Sequence, residues 1–167
     1  ELDHSTLSSH QVELQTEEEP LLLQDQSPIL ENAPHEEPLL KPFTGERILI
    51  VDDDLQNLLA LTPLLESWGF EVTAAGDGQE AIETLKEDPD YGIVLIDIMM
   101  PELDGYDTIR HIRDKMRLGS LKVIVLTEKN AAEDRRRCQD AGADDVLTKP
   151  VSADRLLAVF SNHLGAE

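Results

Sequence analysis

One cysteine, Cys138, stands in 167 residues, so no internal disulfide braces the chain, and packing must do that work. A lone thiol in a helical, arginine-rich stretch suits a reducing compartment, and a cytoplasmic location is the expectation. Positive charge is also scarce: 14 Lys and Arg stand against 35 Asp and Glu, a formal net charge of −21. Such a chain repels a polyphosphate backbone, which excludes nucleic acid as a direct partner. No run approaches the roughly 20 consecutive apolar residues of a membrane span, and the first residues lack the basic and apolar regions of a signal peptide. No membrane contact is expected of this segment. The chain starts at Glu1 without an initiating methionine, which reads as a piece of a longer protein.

What is present divides in two. Residues 1–45 hold 10 acidic groups and one lysine, mixed with Gln, Ser and Pro, few β-branched residues and a single aromatic, Phe43. That composition buries too little apolar surface to offset chain entropy, and a flexible acidic linker is expected there. It contains a short repeat, Glu18-Glu19-Pro20-Leu21-Leu22 returning as Glu36-Glu37-Pro38-Leu39-Leu40. The folded domain is expected over residues 46–167.

Within that domain, short continuous apolar runs at 48–51, 93–96 and 123–126 suit strands buried on both faces. Leu58, Leu61, Leu65 and Trp68 recur at helical spacing before Gly69, as do Ala81, Ile82 and Leu85 before Asp88. Weaker strands at 72–74 and 145–148, with helices near 105–117, 131–141 and 152–164, complete five β/α pairs. The predicted fold is α/β: a doubly wound five-stranded parallel sheet with five helices, preceded by the acidic tail. Ligands of such sheets bind at the carboxyl ends of the strands.

Those ends carry Asp52, Asp53 and Asp54 after the first strand, Asp97 after the third, Thr127 after the fourth, and Lys149 with Pro150 after the fifth. Helix capping accounts for one aspartate but not for three in a row. Clustered carboxylates repel one another unless a cation sits among them. Oxygen-only ligands suit Mg²⁺, with Asp53 and Asp97 as direct ligands, Asp52 through water, and the backbone carbonyl of Met99 as a further oxygen. A carboxylate beside such an ion can act as a nucleophile toward phosphorus. Asp97 is the candidate, with the Thr127 hydroxyl and the Lys149 ammonium placed to contact the transferred phosphoryl group.

Ile50-Val51-Asp52-Asp53-Asp54, Asp97 through Gly105, Leu126-Thr127 and Lys149-Pro150 together resemble the receiver domains of two-component response regulators, over about residues 46–164. Asp134-Arg135-Arg136-Arg137-Cys138 followed by Ala141 through Asp145 is most similar to receivers attached to hybrid histidine kinases. The resemblance implies a flavodoxin-like strand order 2-1-3-4-5 and a cis bond before Pro150. It also implies a phosphoryl group accepted on Asp97 from a histidine kinase or histidine phosphotransfer domain. The surface of helix 4, strand 5 and helix 5 would then switch toward an effector or downstream phosphotransfer protein. Such a domain catalyses only its own phosphorylation and dephosphorylation.

Two residues depart from the family pattern. Glu128 stands where a small residue is usual, which implies altered phosphoryl uptake or lifetime. Val146 stands where many receivers carry Tyr or Phe, which implies that output runs through backbone and helix shifts. Two rival readings differ in class. A haloacid dehalogenase-type phosphohydrolase also uses an Asp nucleophile with Mg²⁺, yet needs a second acid two residues later, where Met99 stands. A receiver-like docking module indifferent to phosphoryl groups would retain the fold, and Glu128 and Val146 are its only hints.

Overall fold

In the computed structural model, residues 41–100, 103–128 and 132–165 are described. The elements run β1 (Arg47–Val51), α1 (Leu55–Ser67), β2 (Glu71–Ala75), α2 (Gly78–Glu87), β3 (Ile93–Asp97), α3 (Gly105–Arg110), β4 (Lys122–Thr127), α4 (Ala132–Ala141), β5 (Asp145–Thr148) and α5 (Ala153–Leu164). All strand pairs are parallel, in the order β2-β1-β3-β4-β5, so the expected sheet and its five helices are present. Of the linker expected over residues 1–45, residues 1–40 lie outside the described residues.

Alternation along the central strands feeds two separate cores. Leu49, Val51, Val94, Ile96, Val123 and Val125 point to one face, where Ala81, Leu85, Tyr106, Ile109 and Cys138 from α2, α3 and α4 cover them. Ile48, Ile50, Ile93, Leu95, Ile124 and Leu126 point to the other, against Leu61, Leu65, Leu156 and Phe160 from α1 and α5. Burial on both faces explains why these strands read as unbroken apolar runs in place of alternating ones.

Local chemistry sets the helix starts. The Asp54 carboxylate accepts a hydrogen bond from the Gln56 N–H at 2.9 Å and begins α1. At α2 the capping is reciprocal: Asp77 accepts from the Glu80 N–H, and the Glu80 carboxylate accepts from the Gly76 N–H. Asp104 caps α3 by accepting from the Asp107 N–H, and Ser152 caps α5 by accepting from the Arg155 N–H.

Two features differ from the sequence-based expectation. Phe43 falls inside the segment assigned to the linker, yet it is buried, and its ring stacks on Phe70 with centroids 4.2 Å apart. Its N–H donates to the Trp68 carbonyl. Gly69, at φ +106°, makes room for it, because a Cβ there would lie 1.7 Å from the Phe43 carbonyl oxygen. The packed domain therefore begins before residue 46; a lone aromatic in polar sequence gives no periodic signal that it returns to the core.

The second difference is in the helix expected over 105–117. It is α-helical only to Arg110 and continues as a π-helical turn, His111–Lys115. Arg113 lies in that turn, and its guanidinium donates to the carbonyls of Gly142, Leu118 and Leu121 and pairs with Asp144 at 2.7 Å. These four acceptors lie far from Arg113 in sequence or beyond the helix end, so tertiary bonding outweighs regular helix geometry here.

Candidate functional site

The parallel register brings the strand ends level. Val51 lies beside Ile96, and Thr127 beside Thr148, so Asp52, Asp97, Thr127 and Lys149 converge at one edge of the sheet. Asp52, Asp97 and Thr127 are 2 %, 7 % and 2 % exposed, rare burial for two carboxyl groups. Carboxylate oxygens of Asp52, Asp53 and Asp97 all lie within 4.8 Å of one another. The Lys149 ammonium stands 3.4 Å from Asp97 Oδ2.

The three aspartates after β1 have divided their work. Asp54 caps α1, as above. Asp52 is held by its neighbours: Oδ1 accepts from the Asp54 N–H and Oδ2 from the Asn57 side-chain amide, each at 2.9 Å. Asp53 is exposed and turns toward the cleft. Asn57, one turn into α1, was not singled out by the sequence reading. An amide three residues past a cap returns toward the strand end, and that spacing was its only signal.

Asp97 Oδ1 accepts from the Met99 N–H at 3.1 Å, which pins the carboxylate and places Met99 beside it. Burial pushes the Asp97 carboxyl up to about 6; the Lys149 charge opposes that rise and the Asp52 charge adds to it. Burial likewise raises Asp52, against the pull of its two hydrogen bonds. Two buried, mutually repelling carboxyl groups with one ammonium between them are short of positive charge. The oxygen-only donor set fits a hard divalent cation, which would relieve that deficit.

The loop after β3 is held close by Gly105, whose N–H donates to the Ile98 carbonyl. A Cβ at Gly105 would meet Ile98 Cα at 2.7 Å and the Asp97 carbonyl oxygen at 2.8 Å. On the opposite side, the Lys149 N–H donates to the Thr127 carbonyl at 2.8 Å, and the Lys149-Pro150 bond is cis. Asp53, Asp54, Leu55, Asn57, Asp97, Met99, Glu128 and Lys149 line a cleft of about 500 Å³ that opens at this edge. Val146 is not part of it: it is buried on β5 in the core shared with Tyr106 and Cys138. Tyr106, which carries the Arg137 guanidinium 4.2 Å over its ring, is an aromatic of that core.

A family pattern described as the response regulator receiver domain matches residues 48–161. The chain belongs to the receiver domain family of response regulators. This receiver is 39 % identical over 112 residues to the transcriptional regulatory protein CpxR homolog of Haemophilus influenzae, covering 67 % of the chain and 47 % of that protein. It is 33 % identical over 104 residues to the two-component response regulator ORR5 of Oryza sativa subsp. japonica, covering 62 % of the chain and 78 % of that protein. The receiver thus spans about half the length of the Haemophilus relative.

Among solved structures, a receiver domain protein described as CheY-like from Methanospirillum hungatei superposes with a TM-score of 0.66 at 32 % identity, over 73 % of this chain and 95 % of that one. A chain of the CheX-CheY-BeF3-Mg²⁺ complex from Borrelia burgdorferi gives 0.67 at 28 %, over 72 % and 90 %. The fold, the family and a role in phosphorylation-based signalling therefore stand together. Among the described residues no helix is long and apolar enough to cross a membrane.

Proposed function

We propose that this receiver accepts a phosphoryl group on Asp97 from a phosphohistidine of a histidine kinase or histidine phosphotransfer domain. The observation that carries the reading is the convergence of Asp52, Asp53, Asp97 and Lys149, contributed by three strand ends, on one cleft. Mg²⁺ is the proposed cofactor, held by Asp52, Asp53, Asp97 and the Met99 carbonyl; when bound it offsets negative charge on the incoming phosphoryl oxygens.

Asp97 is the nucleophile. Its Met99 hydrogen bond leaves Oδ2 toward Lys149 and the cleft. As the bond from a carboxylate oxygen to phosphorus forms, the P–N bond to the donor imidazole breaks, its electron pair leaving with the nitrogen, which takes up a proton. The Lys149 ammonium then balances one phosphoryl oxygen and the Thr127 hydroxyl donates to another. Pro150 shapes the turn that presents Lys149.

The cleft rim supports a protein donor. Leu55, Leu59 and Met99 are the large hydrophobic residues exposed among those described, at 66 %, 65 % and 55 %. Leu55 and Leu59 lie one turn apart on α1, and Leu55 and Met99 border the cleft itself. A partner that covers them gains apolar burial around the reacting histidine. Output is proposed to pass through α4, β5 and α5 by backbone and helix shifts, since Val146 offers no ring to move. The run 134–145 supports a receiver of the kind attached to hybrid histidine kinases.

Intact mass after prolonged incubation with Mg²⁺ and a phosphodonor tests the proposal, with amide NMR shifts as the second readout. The expected result is one added phosphoryl mass, absent from Asp97→Asn, with shifts reaching α4 and α5. No adduct, with no Mg²⁺-dependent shift at Asp52, Asp53 or Asp97, would leave only a docking module.

A further inference from the structure

Glu128 lines the cleft, yet the chemistry above gives it nothing to do. Its position is unlike that of the other acids there. Asp54 caps α1, Asp52 is held by an N–H and an amide, and Asp97 is paired with Lys149. Asp52, Asp53 and Asp97 form the group whose ligand oxygens come within 4.8 Å, and Glu128 stands outside it. A cation gathered by that group leaves the Glu128 charge uncompensated among the described residues. Glu128 is exposed, and among the described residues none forms an ion pair with it.

The charge balance of the entrance follows. Asp52 together with the acids lining the cleft makes five carboxylates, and Lys149 is the one cation among the described lining residues. A divalent ion removes half of the resulting excess of four negative charges. Of the two that remain, one is Glu128, standing where a phosphodonor enters.

On the reading of Asp97 as the phosphoacceptor, we propose that Glu128 sets donor preference, turning away free acyl phosphates and admitting nitrogen-linked phosphoryl groups. An acyl phosphate arrives as a dianion and departs as a carboxylate, so a negative charge meets Glu128 on entry and on exit. A phosphoramidate arrives with a protonated nitrogen and a smaller net charge. Its P–N bond breaks as the P–O bond to Asp97 forms, the bonding pair goes to nitrogen, and a neutral amine departs. The fixed charge of Glu128 opposes the first donor at both steps and attracts the cationic nitrogen of the second. Phosphohistidine belongs to the second class when its imidazole is protonated, and a protein donor also gains the apolar rim.

Fixed charges at a cleft mouth alter the entry of small ions by about 10-fold or more, and salt screens the effect over about 10 Å at 0.1 M. The test compares initial rates of adduct formation by intact mass on the full chain in Mg²⁺, with acetyl phosphate and with phosphoramidate, for the wild type, Glu128→Gln and Glu128→Ala. Glu128→Gln is expected to speed acetyl phosphate labelling on the order of 10-fold while changing phosphoramidate labelling little or slowing it. The wild-type rate with acetyl phosphate is expected to rise with added salt, and that of the Gln variant to rise less steeply.

Equal rates for wild type and Gln with acetyl phosphate would overturn the proposal, as would an equal gain with both donors. A gain in Ala without one in Gln would assign the effect to bulk and overturn it too. Failure of every protein to label with either donor would remove the phosphoacceptor reading and this proposal with it, a result distinct from labelling that ignores residue 128. Because Glu128 is exposed, circular dichroism of the variants should match the wild type.

Discussion

Asp97→Asn should stabilise the domain when no divalent cation is supplied, although it removes the residue on which the proposed chemistry depends. Burial moves the Asp97 carboxyl from 3.8 up to about 6, and each tenfold change in proton affinity is about 1.4 kcal/mol. The ionised carboxylate therefore sets about 3 kcal/mol against the folded state at pH 7. Below pH 3.8 both states hold the proton and nothing is lost; as pH rises toward 6 only the folded state still holds it, so stability falls across that window. Asparagine removes the charge but leaves the Lys149 ammonium, 3.4 Å from Asp97 in the wild type, without its partner, so the net gain should be about 1–2 kcal/mol. Urea denaturation monitored by circular dichroism, in chelator, at pH 7 and at pH 3.5 measures it. The Asn variant should be the more stable at pH 7 and indistinguishable at pH 3.5, and Mg²⁺ should raise the wild type selectively. An Asn variant less stable than wild type at pH 7, or an advantage of the same size at both pH values, would refute the electrostatic reasoning.

Phe43→Ala should cost about 3–4 kcal/mol in urea denaturation, because its ring is buried against Phe70, which in turn meets Phe160 edge-on; a chain started at residue 46 should lose a comparable amount. Gly105→Ala should cost about 1–3 kcal/mol and slow phosphoryl uptake, measured by intact mass, since its Cβ collides with the backbone of Asp97 and Ile98 and displaces the loop beside the acceptor. Leu55→Ser with Leu59→Ser should leave stability within about 0.5 kcal/mol, both being exposed. The same pair should weaken transfer from a phosphohistidine protein while leaving labelling by phosphoramidate unchanged, a contrast that a gel or mass assay with the two donors resolves.

Much of this architecture can be read from residue patterns because the pattern and the packing have the same physical origin. Ile48 through Val51 and Val123 through Leu126 are apolar throughout since helices cover both faces of their strands. The start of α2 is equally local: Asp77 accepts from the Glu80 N–H and Glu80 accepts from the Gly76 N–H, all within five residues. Where long-range contacts decide, the pattern is silent. Phe43 looks like linker until Gly69 and Phe70 are folded against it. The helix over 105–117 looks regular until Arg113 is drawn to Gly142, Asp144 and two carbonyls past its own end. Asn57 has no motif of its own and acquires a role only because α1 carries it back over Asp52.

The residues proposed to do phosphoryl chemistry, Asp52, Asp53, Asp97, Thr127 and Lys149, could be picked out in the sequence alone, because each stands at the end of a segment that reads as a strand, and the strands of a parallel sheet end at the same edge. Tertiary structure decided the rest: which of three consecutive aspartates is buried, caps a helix or is left facing the cleft, how close Lys149 comes to Asp97, and that Glu128 lines the cleft outside the cluster of Asp52, Asp53 and Asp97. Those are matters of distance and desolvation. Spacing along a chain orders residues onto strand ends, whereas burial and separation in space arise only when the strands are side by side.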